Sequence, residues 1–166
     1  MLDKEKRVVH SLSTGGFYGM RIAHTHRERL VGAVSQGGWC HRIFEREWLD
    51  AVDHLEYAFD LAECFAEKLG YKDVESMKAD GQKRFSLLDN GIWDQHSTKL
   101  LLVNGMNDEI FPVEDSMIPL QNGNVKNARF IPDGMHMGEP AAGGIILKWI
   151  EDLVGNIGPS ETSEHA

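Results

Sequence analysis

Short apolar runs that close on glycine alternate along this chain with longer stretches whose apolar residues recur every three or four positions. Residues 6–12 (KRVVHSL) run apolar into a glycine-rich turn, the pattern of a strand buried on both faces. From Gly16 the spacing of Phe17, Met20 and Ala23 predicts a helix to about Arg29. Residues 30–38 (LVGAVSQGG) predict a second short strand ending in glycines. Strand, helix, strand is the opening of a parallel α/β unit.

The texture then changes. Charge and helical spacing dominate from Glu45 to about Asp89, which predicts a helical insertion over roughly 45–92. Leu55, Ala58, Phe59, Ala62, Phe65, Ala66 and Leu69 mark one helix, stopped by Gly70. Val74, Met77 and Phe85 mark a weaker one, interrupted at Gly81. Residues 98–105 (TKLLLVNG) are the most apolar strand, and 128–134 (ARFIPDG) a fourth. Between them DSMIPLQNG predicts a short helix limited by Pro119. A last helix has Pro140 in its first turn, an apolar face of Ile146, Trp149, Ile150 and Leu153, and Gly155 at its end. Residues 158–166 are polar and predict a frayed, disordered tail, leaving one domain over 1–157.

Composition narrows the function classes. A chain of 166 residues suits one domain with a real core. Its net charge of −9 argues against nucleic acid or an acidic membrane as partner, and residues 21–29 are too short and mixed to form a basic helix. Cys40 and Cys64 form no CxxC pair, so reduced thiols are expected rather than a disulfide framework or zinc site. The first ten residues lack the apolar segment of a signal peptide, and no apolar run approaches the roughly 18 residues that span a bilayer. A soluble, cytoplasmic protein is the expectation.

Three residues carry candidate chemistry. Ser13 stands in Ser11-Leu12-Ser13-Thr14-Gly15, close to the G-x-S-x-G turn that lifts a nucleophilic hydroxyl clear of a strand end. Alone, such a string is more often an ordinary strand-to-helix turn. Asp108 follows the 98–105 strand and His136 follows the 128–134 strand. Serine, acid and histidine thus occur in that order, each after its own strand, where open α/β sheets place their sites. His136 would take the proton of Ser13, Asp108 would hold the imidazole, and the Thr14 N–H would receive the oxyanion. Glu114 and Asp115 read instead as a helix N-terminus. His24 and His26 share no helix face and make a poor metal pair; His10, His41, His54 and His96 match no ligand pattern.

LSTGGFYGMRIAHTHRERLVGAVSQGG, FEREWLDAVDHLEYAF, KRFSLLDNGIWDQHSTKLLLVNGMNDEIFPVEDS and ARFIPDGMHMGEPAA resemble the fungal polyketide-shortening α/β-hydrolases, the yellowish-green-type heptaketide hydrolases related to FrsA-like esterases. The resemblance runs over about residues 8–154 and places the family's nucleophile, acid and histidine on Ser13, Asp108 and His136. It implies the C-terminal part of an α/β-hydrolase fold: about four mostly parallel strands, flanking helices and a helical cap. It also implies cleavage of a carbon–carbon bond in the β-dicarbonyl side chain of an aromatic polyketide, as in pigment and melanin pathways, with no metal or organic cofactor. Tyr18, Trp39 and Met135, with Phe44 and Trp93, are candidates to line an aromatic pocket.

The chain departs from that family in two places. Ser11 stands where the family usually has glycine, and the family's long region before the nucleophile, with its early strands and second oxyanion donor, has no counterpart here. An open first strand would then invite a homodimer. Three expectations follow: a hydrolase known here from its C-terminal part, a truncated inactive paralogue that binds a ligand or partner, or a generic carboxylesterase.

Overall fold

The computed structural model describes residues 6–54, 57 and 59–156. Four strands, β1 (Val8–Leu12), β2 (Gly32–Gln36), β3 (Lys99–Gly105) and β4 (Asn127–Ile131), form one parallel sheet in the order β1-β2-β3-β4. Val8 pairs with Gly32, Gly32 with Lys99, and Leu101 with Asn127. Side chains alternate across the sheet, so both faces of β3 find an apolar core. Leu100 and Leu102 join one core; Leu101 and Val103 join the other. This explains the unbroken apolar run of β3, since a parallel sheet is covered on both faces.

Helix α1 (Thr14–Thr25) and helix α5 (Val113–Asn122) cover the first face through Phe17, Met20, Ala23 and Ile118. Helix α6 (Ala141–Gly155) covers the second, where Ala142 and Ile146 meet Val34, Leu101 and Val103. Between β2 and β3 the chain forms α2 (Arg46–Ala51), α3 (Leu61–Lys68) and α4 (Val74–Phe85), the helical insertion on this sheet. Its buried residues Leu49, Leu61, Phe65 and Met77 belong to the first core. Among the described residues β1 pairs with β2 alone, and no helix is long and apolar enough to cross a membrane.

Several elements differ from their sequence-based bounds. Helix α1 begins at Thr14 and ends at Thr25, because His26 leaves helical geometry (φ −132°, ψ 31°); Arg27–Arg29 makes a separate 3-10 turn. Helix α3 is shorter than its apolar spacing suggests. Asp53 accepts the Ala62 N–H at 2.7 Å and fixes its start, while Phe59 is half exposed; Leu55 and Ala58 lie outside the described residues. Its end is as expected: Gly70 (φ 77°) reverses the chain and the Tyr71 N–H reaches the Ala66 carbonyl at 2.8 Å. Helix α4 runs through Gly81 without a break, because the Phe44 ring packs against that position and needs its missing side chain. Strand β4 stops at Ile131, since Pro132 has no N–H for the ladder. Pro140 precedes α6 as its cap rather than lying in its first turn.

Pro119 does not limit α5; it lies inside the helix. A proline there leaves the carbonyl four residues earlier without its donor. That carbonyl belongs to Asp115, and the Cys40 thiol donates to it at 3.2 Å. The fully buried Asp115 carboxylate in turn accepts the N–H groups of His41, Arg42 and Ile43 at 2.7, 2.8 and 3.1 Å. Burial pushes this carboxyl up from its ordinary range, and the backbone N–H groups oppose that shift. Asp115 therefore ties the start of the insertion to α5, more than the helix-terminus role its position suggests.

Ser11, the residue in the unusual place, is accommodated by Gly19. Its hydroxyl donates to the Val34 carbonyl, and a Cβ on Gly19 would lie 1.9 Å from its Oγ. In this chain the glycine that allows strand and helix to approach at Ser11 is on the helix. Gly19→Ala should therefore destabilise the fold by about 1–3 kcal/mol through overpacking. Adding Ser11→Gly should restore most of that loss. Thermal unfolding of the two single variants and the double variant tests this coupling; additive losses would contradict it.

Candidate active site

Parallel pairing gathers the C-terminal ends of all four strands at one edge of the sheet, and Ser13, Asp108 and His136 all follow such ends. Ser13 lies between β1 and α1 with φ 52° and ψ −126°, a backbone that costs a non-glycine residue about 1–3 kcal/mol. Its N–H donates to the Gln36 carbonyl at 2.8 Å, which holds the turn against β2. The next residue, Thr14, opens α1, so its N–H has no carbonyl one turn earlier in the helix to bond. The helix N-terminus adds a partial positive charge beside the Ser13 hydroxyl.

The three side chains form one hydrogen-bonded chain. The Ser13 hydroxyl donates to His136 Nε2 at 2.8 Å, and His136 Nδ1–H donates to Asp108 Oδ2 at 3.0 Å. Both partners are withdrawn from water, with side-chain exposures of 3% for His136 and 0% for Asp108. Asp108 Oδ1 accepts the N–H groups of Ile110 and Phe111 at 2.8 and 3.0 Å. With Asn104 also donating to Oδ2 at 2.7 Å, four donors fix the plane of this carboxylate. The Phe111 ring meets His136 edge-on at 5.2 Å, and Tyr57 does so at 6.4 Å.

Two residues that the sequence pattern did not single out hold this chain in place. Asn104, fully buried at the end of β3, donates to Asp108 and accepts the Gly105 N–H at 2.8 Å and the Met137 N–H at 3.1 Å. It thereby joins the loop of the acid to the loop of the histidine. Gln36, equally buried at the end of β2, donates to the Met137 carbonyl at 3.1 Å and to Glu139 at 2.7 Å. Met137 itself has φ 64°, so the histidine loop is strained and needs such holds. The available signal was a polar residue at the end of each otherwise apolar run, because a buried amide must find partners.

The aromatic candidates separate. Trp39 is 1% exposed, stacks on Phe17 at 4.2 Å and meets Phe44, Phe65 and Phe111 edge-on; Phe44 and Trp93 are buried too. These residues build the core behind the site and do not present an open wall. Tyr18 faces solvent on α1, and Met135 is exposed directly before His136. The cavity that adjoins the site has other walls: about 270 Å³, lined by Thr14, Phe59, Leu61, Cys64, Phe65 and Lys68. His24 is a core histidine, bonded through Nδ1 to the Met20 carbonyl, and burial holds its imidazole below the ordinary value.

No protein-family model matches the chain, and no curated protein sequence matches it. Solved structures do. AbyA5 superposes with a TM-score of 0.69 at 18% identity over 92% of this chain and 44% of its own. The 2,6-dihydroxy-pseudo-oxynicotine hydrolase gives 0.68 at 18%, over 92% and 40%. Acetyl xylan esterase 1 from Thermoanaerobacterium sp. JW/SL YS485 gives 0.64 at 16%, over 92% and 47%. The chain spans less than half the length of these three proteins. Its four parallel strands and flanking helices are those of the α/β-hydrolase fold.

Proposed function

We propose that the chain is the catalytic part of a serine hydrolase that breaks a bond beside a carbonyl. The observation that carries this reading is the run Ser13–His136–Asp108, two hydrogen bonds long, with the serine in a strained turn at a helix N-terminus. An ordinary turn serine needs neither the strain nor a buried histidine. In the first step His136 Nε2 accepts the hydroxyl proton as Ser13 Oγ bonds to the carbonyl carbon. The resulting oxyanion takes the Thr14 N–H. Asp108 stabilises the imidazolium, which then protonates the leaving group as the acyl bond breaks. A water deprotonated by His136 releases the acid and frees Ser13.

For the substrate we favour a β-dicarbonyl on an aromatic polyketide, on the strength of the sequence resemblance. There the leaving group is a carbon whose electron pair is delocalised into the neighbouring carbonyl, so protonation by His136 completes a retro-Claisen cleavage. Benzoylacetone and phenyl acetate, each incubated with the chain, separate the readings. Release of acetate from both, lost in His136→Ala, is the expected result. Cleavage of the ester alone would assign a carboxylesterase. Failure of Ser13 to react with a fluorophosphonate would overturn the hydrolase reading and leave a binding protein.

A further inference from the structure

The cavity beside Thr14 has a chemistry that bond cleavage does not explain. Leu61, Cys64, Phe65 and Lys68 are spaced i, i+3, i+4 and i+7 on α3, so a single face of that helix forms one wall. At the α-helical rise, Leu61 and Lys68 stand about 10 Å apart along the axis. The Leu61 end is the reacting end. Phe59 stacks on Tyr57 at 5.0 Å, and Tyr57 in turn approaches His136 to 6.4 Å. Lys68 therefore lies two turns along α3 from the Leu61 end.

The lining between these ends is apolar, and the half-exposed Phe59 ring extends it at the mouth. Lys68 is the sole charged side chain among the described residues that line the cavity, and among the described residues it forms no ion pair. An ammonium that closes an apolar cavity favours an anion whose own body fills that cavity. The wider cleft between α3 and α4 is lined by Glu63, Glu67 and Asp73 beside Lys72, so its charged lining is acidic on balance.

Resting on the assignment of Ser13 as nucleophile, we infer that this cavity holds the acyl part of the substrate and that Lys68 recognises a carboxylate at the end of that part remote from the reacting carbonyl. The substrate class is thus an acyl compound with an apolar body and a distal acid. Lys68 determines specificity and takes no part in bond breaking.

Binding can be read without turnover in the Ser13→Ala chain, by isothermal titration with monomethyl azelate and with dimethyl azelate. The two ligands share length and apolar body and differ in one charge. The monoester should bind about fivefold more tightly, the scale of a solvent-accessible ion pair. Lys68→Met should remove the preference, Lys68→Arg should keep it, and added salt should weaken it. Equal affinities, no binding of either ligand, or a preference that survives Lys68→Met would overturn the inference. Fluorophosphonate labelling of Ser13 in the unaltered chain reports separately on the nucleophile. Labelling without charge preference fails the cavity assignment alone; charge preference without labelling fails the hydrolase reading alone.

Discussion

Ser13→Ala and Ser13→Gly should both lose about 10⁴- to 10⁶-fold in turnover of an aryl ester, yet differ clearly in stability. Both remove the hydroxyl that donates to His136 Nε2, so the chemical losses should match. The backbone does not change in the same way. Ser13 sits at φ 52°, a conformation that strains alanine as much as serine and costs glycine little. The glycine chain should recover about 1–3 kcal/mol of strain, less about 0.5–1 kcal/mol for its looser unfolded state. It should therefore melt above the alanine chain. Paired thermal melts and steady-state rates check this, and an alanine chain at least as stable as the glycine chain would remove the case for a strained turn.

Gly105→Ala should be the most damaging substitution that touches none of the three residues. A Cβ there would lie 2.0 Å from the Met135 carbonyl oxygen and 2.2 Å from that of Gly134. Those atoms are backbone and cannot rotate aside. The same approach carries the Met106 N–H to the Ile131 carbonyl and the Asn107 N–H to the Gly134 carbonyl, both at 2.9 Å. Making room means pushing back the loop that holds His136, which breaks these bonds as well as the Asn104 bond to Met137. The expected cost is about 3–5 kcal/mol, at the upper end of single-residue effects. Where the chain still folds, fluorophosphonate labelling should slow by about 10²-fold or more, because a misplacement of the base by an ångström carries that penalty. Urea unfolding gives the first quantity and labelling kinetics the second. A melt within a degree of the original would show that the close approach is dispensable.

Apolar runs revealed the strands because both faces of the sheet are covered, and three of the four runs, those of β1, β3 and β4, lead into the segment that bears Ser13, Asp108 or His136. Ser13, Asp108 and His136 were legible for that reason: their order and their strand-end positions are properties of one dimension. The bounds of α3 and α4 were less so. Asp53 starts α3 from outside the apolar spacing, and Gly81 looks like a breaker until Phe44 is seen packed against it. Pro119 misled similarly, since the thiol that relieves its missing bond comes from 79 positions earlier by number. The pocket was the least legible part. Trp39 has the composition of a binding residue, but its place among Phe17, Phe44, Phe65 and Phe111 follows from packing that no local pattern encodes. Asn104 and Gln36 were visible as polar ends of apolar runs, but the partner they share, Met137, lies in a loop more than thirty residues away from either.

The distance along the chain between the two ends of the hydrogen-bonded run has a kinetic meaning. Ser13 and His136 are 123 positions apart, and β3 can reach β2 only after the whole helical insertion has been spanned. Loop closure of this length must be completed before any contact at the site rewards it, and such topologies assemble slowly. No half of the chain can hold the serine, the acid and the imidazole together. Reactivity of Ser13 should therefore appear last in refolding, after helical signal and after burial of the tryptophans, and it should vanish first on unfolding. Ser13 is in that sense a clock hand for the whole domain, reporting the moment when the final crossover closes.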